Sequence, residues 1–377
     1  MKIWLIGRGY PTTSNGMWGS FELEQAKLLA RNSYEVSYIA LTLSFFDRED
    51  PRGLRNFEDS GVKVYAYSHF YFPGKLGVYW ESFEDWCWRS LFEKAEGDTG
   101  LPDIIHVHYP SMVSSINEVE KYRRRGVKLF VTEHWSRVLI NTLKKHELAR
   151  LQYYAQNADC FASVSEALQN SVKKLTPVTA PMEVIPNIVS PLFFETGKKS
   201  IKDVNCFTFI VVGRLVALKQ FDVVIRQFLR EFDGNSNVKL IIVGSGSDRK
   251  KLEEMADSNS QITFTGELSL GDTAKKIAKA DALVSFSKYE TFAAPVAESW
   301  ACGKPVIVSS ESGISPFVNR ENGIVVGSNA HEELGMAMRY LFDHYKDYDP
   351  ESISEFARSH FNDDAVMKKL REMYTNH

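Results

Sequence analysis

The side chains able to do chemistry stand in short polar runs that directly follow apolar stretches. The run GRLVALKQFD places Arg214 and Lys219 five positions apart, just ahead of a helix expected from about residue 220. A guanidinium offers a planar fork for bidentate phosphate binding and an ammonium a compact point charge, so two such cations converging there suit a diphosphate; a solvated basic turn is the alternative. The run SFSKYETFAAPVAESWACGKPVIVS holds Glu290 and, eight residues on, Glu298. Pro295 stands near the first position of a helix that Cys302-Gly303-Lys304-Pro305 closes. Amides around Phe292 to Ala294 at its start would face an anion, while the two carboxylates accept hydrogen bonds from sugar or ribose hydroxyls. Two glutamates at this spacing are by themselves unspecific. VGSGSDRKKLEE adds a glycine turn around Gly246, with Ser247 or Asp248 as the cap of the next helix; such a turn approaches a nucleotide or simply reverses the chain.

The first half offers a second set. After the opening apolar run come Gly7, Gly9, Gly16 and Gly19, which could let backbone amides approach a phosphate at a helix N-terminus. Gly7-Arg8-Gly9 is not a dinucleotide fingerprint, because Thr12 stands where its third glycine belongs and Pro11 breaks the tight turn. His106 and His108, two residues apart, share one face of a strand. No acidic or cysteine partner lies near them in sequence, so we expect them to line a ligand cleft and not to chelate a metal. His134 follows another strand, where it can donate to a ligand hydroxyl or phosphate or serve as a satisfied structural histidine.

The elements that must position these groups are legible from hydrophobic period. Apolar runs at 2–6, 35–41, 62–67, 103–108, 128–132 and 160–164 alternate with helix-length segments such as 20–31 and 142–157. The pattern resumes at 206–212, 238–243, 262–264, 281–286, 305–308 and 324–326. Parallel strands joined by helical crossovers follow, each buried on both faces. The fold class is therefore α/β, two doubly wound Rossmann-like domains facing across a cleft. Residues 1–190 are expected to form an N-terminal Rossmann-like domain, 191–355 a C-terminal one, and 356–377 a C-terminal helix packing back on the first. The helix is expected to open at Pro350 and run to the end, with Phe356, Phe361, Val366, Leu370 and Met373 as its stripe. In open parallel sheets ligands bind beyond the carboxyl ends of the strands, which is where the polar runs lie.

Composition excludes several classes. A chain of 377 residues is long enough for two cores. With 45 Lys and Arg against 48 Asp and Glu, its net charge of −3 draws it neither to nucleic acid nor to an anionic membrane. Cys87, Cys160, Cys206 and Cys302 form no C-x-x-C pair and read as buried thiols in a reducing compartment. The opening IWLI is too short for a secretory segment and no stretch is apolar enough to span a membrane, so we expect a cytoplasmic protein, with a peripheral position at the inner membrane face left open.

Taken together, these runs resemble glycosyltransferase family 4, retaining enzymes that use nucleotide sugars and share the two-domain GT-B fold. The likeness is strongest from 206 to 327, in GRLVALKQFD, LIIVGSGSDRKKLE, ITFTGELS, YETFAAPVAESWACGKPVIVS and NGIVVG, in family order. GSFELEQAKLLA, PDIIHVHYP, TEHWS, SVSE and VIPNIV extend it into the first half. The resemblance implies that Arg214 and Lys219 hold the donor diphosphate and Glu298 the ribose. It puts Glu290, with amides near Thr291, Phe292 and Ala293, on the transferred sugar. His134 would approach that sugar and the β-phosphate, Gly16 and Gly19 the donor or acceptor, Gly246 the nucleotide, and Gly266 to Leu268 the base. It implies transfer without a resident cofactor or metal.

The sequence departs from the family pattern at Gly16-Met17, where paired glycines are common, at Phe292-Ala293-Ala294, where G-F-G is common, and at Gly313-Ile314. Methyl groups at 293 and 294 leave the amides in place but crowd the sugar. The acceptor implied is a saccharide or lipid-linked saccharide used in surface polysaccharide or glycolipid synthesis. The aromatic stretch 65–92 suits sugar rings or a membrane edge, with core packing as the alternative. The run Lys121 to Arg125 could touch lipid headgroups or be a solvated helix end. Asp347-Tyr348-Asp349 is a literal D-x-D but does not follow a strand. A nucleotide-sugar 2-epimerase of the same fold, a non-catalytic sugar-nucleotide-binding protein and a Rossmann-type oxidoreductase are the competing readings.

Overall fold

The computed structural model describes residues 1–11, 18–44, 52–70, 77–113, 115–199, 206–257 and 259–377. The chain divides into two compact units, one made of Met1–Ile188 with Met367–His377 and the other of Val189–Val366.

In the first unit the strands are β1 (Lys2–Gly7), β2 (Glu35–Ser44), β3 (Gly53–Asp59), β4 (Val62–Phe70), β5 (Ile104–His108), β6 (Lys128–Glu133), β7 (Cys160–Ser163) and β8 (Met182–Val184). They form one sheet in the order β3-β4-β2-β1-β5-β6-β7-β8. In the second unit β9 (Phe207–Val212), β10 (Val238–Val243), β11 (Ile262–Gly266), β12 (Ala282–Ser285), β13 (Val306–Ser309) and β14 (Gly323–Val326) take the order β11-β10-β9-β12-β13-β14. All pairs are parallel except β3 with β4. Both sheets reverse winding direction at one point, between β1 and β5 in the first and between β9 and β12 in the second, and a reversal of this kind leaves a crevice at the strand ends.

Burial explains the apolar runs. Ile3, Trp4, Leu5 and Ile6 of β1 are all at most 1% exposed, as a strand covered by helices on both faces requires. In the second unit Phe228 and Phe232 of the helix Phe221–Phe232 pack on Phe209 of β9, with ring centroids 6.5 and 5.6 Å away. Of the aromatic stretch, Tyr65, Trp88 and Phe92 are core and Trp86 is exposed; 71–76 lie outside the described residues. Lys121, Arg123, Arg124 and Arg125 each pair with Glu118, Glu120 or Glu96, so the basic run is neutralised by its own surroundings.

Three features differ from the expectation. The polar stretch at 53–59 is a strand, antiparallel to β4 through Ser60 and Gly61, both with positive φ, the geometry that lets a two-residue turn match strand twist. The C-terminal segment is two helices, Pro350–Phe361 and Asp363–Asn376. Asn362 separates them because its extended backbone ends the first helix while its side chain accepts from the Ala365 amide, capping the second. The first of these helices starts on Asp349, whose carboxylate accepts from the Glu351 and Ser352 amides, so the D-x-D serves as a helix cap. Finally, Cys206 is only partly buried, unlike the other three thiols.

The helix Pro191–Lys199 seats tightly on the end of the helix Ala294–Ala301. A methyl group at Gly197 would come 2.7 Å from Cys302 Cα, and the Cys302 thiol donates to the Phe193 carbonyl at 3.3 Å. Glycine to alanine inside a helix ordinarily stabilises by about 1 kcal/mol. Here overpacking, which costs about 1–3 kcal/mol, outweighs that gain. Gly197→Ala therefore lowers the thermal midpoint of unfolding, measured by calorimetry; an increase would show that the two helices are not in contact.

Candidate functional site

In the second unit the site is built where β9 and β12 run side by side, with Phe209 opposite Ala282 and Ile210 opposite Leu283. The loop after β9 turns through Gly213 and Arg214 into a short 3-10 turn, Ala217–Lys219, followed by the helix Phe221–Phe232. Its backbone is locked to the next loop: the Leu215 amide donates to the Ser245 carbonyl at 2.9 Å, and the Asp248 amide to Leu215 at 2.9 Å. Gly244 and Gly246 permit this closeness, because a Cβ there would stand 1.9 Å from the Gly213 oxygen and 2.3 Å from the Leu215 oxygen. Gly246 is thus a packing residue of the loop that carries Arg214. Gly266, with φ of 76°, ends β11 and accepts from the Gly244 amide at 2.8 Å; Leu268 follows it half-buried.

Lys219 and Glu290 come from loops after adjacent strands, and their side chains meet in a salt bridge. Both are largely shielded, Lys219 being 24% and Glu290 18% exposed, so either charge left unpaired there would be costly. The Glu290 backbone is held from the β13 side, its amide donating to the Glu311 carbonyl at 3.3 Å and its carbonyl accepting from Gly313 at 2.8 Å. Arg214 is exposed and forms no ion pair among the described residues.

Directly after Glu290 the chain makes a sharp entry into the helix Ala294–Ala301. Ala293 caps it in the left-handed region, φ 67° and ψ 66°, a conformation that costs a residue with a Cβ about 1–2 kcal/mol. The amides of Thr291, Phe292 and Ala293 take part in no backbone hydrogen bond among the described residues, so this corner offers an anion free donors. Phe292 itself is buried, its ring 5.7 Å from that of Phe361. The side-chain carboxyl of Glu298, one turn into the helix, makes no hydrogen bond or ion pair among the described residues, and burial pushes it up to about 7.

In the first unit the corresponding crevice holds His134. Gly19, with φ of 83°, starts the helix Ser20–Arg31 so close to Gly9 that a Cβ would stand 2.0 Å from its carbonyl oxygen. Gly16 lies outside the described residues. Buried Glu133 organises the loop after β6: it accepts from the His134 amide at 2.9 Å, the Trp135 amide at 2.8 Å and the Ser111 hydroxyl at 2.7 Å. His134 stacks on Tyr109, centroids 4.7 Å apart, and the Arg8 guanidinium lies 3.7 Å over the Tyr109 ring while bonding buried Glu22 at 2.8 Å. Burial first, then the positive charge of Arg8, hold the His134 imidazole well below its ordinary range, so the ring is neutral. His106 and His108 are fully buried inside the unit and do not line an open surface, because side chains from three elements close over them.

The structure therefore brings Lys219 and Glu290 into contact, and the order of the strands puts Arg214, Thr291 and Ala293 at the same sheet crevice. His134 and Gly19 share the crevice of the other unit. Arg8, Tyr109 and Glu133 were not among the candidate site residues; each follows or ends a strand, which was the available signal.

A family model described as glycosyl transferases group 1 matches residues 194–360, and one described as Glycosyltransferase Family 4 matches 22–191. An uncharacterized glycosyltransferase of Methanocaldococcus jannaschii is 27% identical over 86% of this chain and 85% of its own. A GDP-mannose-dependent alpha-(1-6)-phosphatidylinositol dimannoside mannosyltransferase of Mycobacterium tuberculosis is 32% identical over 34% of each chain. Among solved structures, sucrose-phosphate synthase from Thermosynechococcus elongatus superimposes with a TM-score of 0.77 over 100% of this chain and 98% of its own, at 18% identity. The two matched models cover both Rossmann-like units, whose fold is that of the GT-B glycosyltransferases, and the chain belongs to glycosyltransferase family 4.

Proposed function

We propose that this glycosyltransferase moves a sugar from a nucleoside diphosphate sugar to a hydroxyl of a saccharide or lipid-linked saccharide, with retention of anomeric configuration and without a metal ion. The observation that carries the reading is the Lys219–Glu290 salt bridge at the β9/β12 crevice, with Arg214, which has no ion pair among the described residues, on the same loop as Lys219. The hard step is departure of the diphosphate. As the bond between the anomeric carbon and the β-phosphate oxygen breaks, negative charge grows on that oxygen, and fixed positive charge lowers the barrier. Arg214 and Lys219 supply that charge, joined by the free amides from Thr291 to Ala293. The acceptor hydroxyl forms the new bond on the face the phosphate leaves, and its proton passes to the departing phosphate oxygen.

Glu290 then plays two parts. In the free protein it neutralises Lys219; with donor bound, the phosphates take over the ammonium and the carboxylate turns to sugar hydroxyls. Glu298 accepts from the ribose hydroxyls, which gives its unpaired carboxylate the donors it lacks. His134 and Gly19, with Gly16, meet the sugar and the acceptor side, and Gly246, Gly266 and Leu268 border the nucleotide. A role in polysaccharide or glycolipid synthesis at the cytoplasmic face of a membrane fits this chemistry; no described helix is long and apolar enough to cross a membrane.

Two outcomes follow. Glu290→Gln removes the competitor for Lys219, so uridine or guanosine diphosphate binds as tightly as before or a few-fold tighter in calorimetry while sugar transfer falls more than tenfold. Arg214→Ala and Lys219→Ala lose both binding and more than tenfold in turnover. Wild-type rates in all three would refute the assignment, and an isomeric sugar nucleotide formed without acceptor would identify an epimerase.

The Glu298 carboxyl gives a pH signature. Between its ordinary 4.5 and about 7 the folded chain holds a proton that the unfolded chain releases, so this residue costs stability progressively as pH rises to 7. Hydroxyl donors favour the carboxylate and lower that value, so binding of UDP-glucose or GDP-mannose expels a proton below pH 7. Affinity rises with pH and levels off above about 7. Calorimetry in buffers of different ionisation enthalpy measures the released proton. Glu298→Gln abolishes the release; an unchanged proton count in that variant would remove Glu298 from the ribose site.

A further inference from the structure

Behind His134 lies a run of buried side chains that the transfer chemistry above does not use. His108 Nδ1 is 2.9 Å from His134 Nε2. Gln25, on the helix Ser20–Arg31, places its amide nitrogen 3.3 Å from His108 Nε2 and 3.4 Å from His106 Nδ1. The Tyr374 hydroxyl reaches His106 Nδ1 at 2.6 Å, and His106 Nε2 meets the Thr132 hydroxyl at 2.8 Å. His106 and His108 are 0% exposed. Burial and the neighbouring charges hold all three imidazoles well below their ordinary range, so each carries one proton and the only question is on which nitrogen.

The geometry answers it from the far end. Buried Tyr374 keeps its proton, its phenol being pushed far above the ordinary range by burial. Its oxygen takes a hydrogen bond from the Gln25 amide and its own proton goes to His106 Nδ1, which leaves the His106 proton on Nε2, facing Thr132. The single lone pair of His106 Nδ1 is then taken, and the Gln25 amide nitrogen, facing inward, donates to the Tyr374 oxygen and to His108 Nε2. His108 Nε2 is then an acceptor and its proton sits on Nδ1, from which it is donated to His134 Nε2. His134 is left with its proton on Nδ1. That nitrogen is buried and finds no hydrogen-bond partner among the described residues; Asn187 approaches the ring and favours its charged form without meeting bond geometry to Nδ1.

We propose that Gln25 and His108 are positioning residues that fix His134 as the Nδ1–H tautomer, so that His134 meets its ligand as a hydrogen-bond donor to oxygen and does not act as a base. The role of His134 toward a sugar or phosphate oxygen rests on the function proposed above; the tautomer itself does not. The relay also ties the C-terminal helix to the site, since Tyr374 stands at its origin, 268 positions from His106.

The test reads the tautomer without any substrate. Long-range proton–nitrogen correlation spectra of nitrogen-15-labelled protein, with His134→Gln for assignment, show the His134 proton on Nδ1. Gln25→Glu offers an acceptor where the wild type has a donor, reverses each bond along the chain and moves the His134 proton to Nε2. Gln25→Met, which fills the same volume with no hydrogen bond, gives a mixture. With UDP-glucose or GDP-mannose, whichever the enzyme turns over, both variants lower kcat about tenfold and leave KM within about twofold. A wild-type His134 with its proton on Nε2, or the same tautomer in all three proteins, overturns the relay. An enzyme that turns over no nucleotide sugar defeats the functional reading while the spectra still decide the relay.

Discussion

The interaction on which the site depends is the meeting of Lys219 with Glu290 at the point where the second sheet reverses direction. Neither residue is near the other in sequence, and neither could be held there by its own loop alone. The β9 loop is clamped to the β10 loop by Leu215, and the β12 loop is clamped to the β13 loop by the two backbone bonds of Glu290. Parallel strands of this order end at a common edge, and the Lys288 amide, donating to the Leu218 carbonyl at 2.9 Å, ties the β12 loop to the β9 loop, so the ammonium and the carboxylate meet. In the proposed mechanism the pair keeps the Lys219 side chain shielded and held in place until a stronger anion displaces its partner.

The same logic accounts for the strain stored beside it. Ala293 sits in a left-handed conformation and the Glu298 carboxyl has no partner among the described residues, and both are unfavourable. Such costs persist where the surroundings over-determine them, and they cluster where a ligand is to be met. In the first unit the buried groups around Glu133 and the histidines are by contrast mostly hydrogen-bonded. Glu133 accepts three donors, and the histidine relay leaves a single nitrogen, His134 Nδ1, without a partner among the described residues.

Much of this was legible beforehand for identifiable reasons. Strands buried on both faces must be continuous apolar runs, so the parallel strands announced themselves, and the rule that ligands bind beyond their carboxyl ends located Arg214, Lys219, Glu290 and His134 without any contact being known. The β3–β4 hairpin was missed because an edge strand in water is polar, as Arg55, Asn56 and Glu58 are, and only Ser60-Gly61 marked the turn. The break at Asn362 was hidden by an apolar stripe that continues through it. The relay could not be read because its members are joined across the fold: the alternation of His106 and His108 put them on one face, yet Gln25 and Tyr374 come from helices at opposite ends of the chain. The pairing of Lys219 with Glu290 in the absence of ligand was likewise invisible, since spacing shows which charges share a crevice and not which of them touch.

The central claim is most directly tested by a crystal structure with a nucleoside diphosphate bound. The account predicts that the β-phosphate lies within hydrogen-bond distance of both Arg214 and Lys219, and that the Lys219 ammonium has left Glu290 for it. A diphosphate bound elsewhere, or one bound at the crevice with the Lys219–Glu290 bridge still closed, would contradict it.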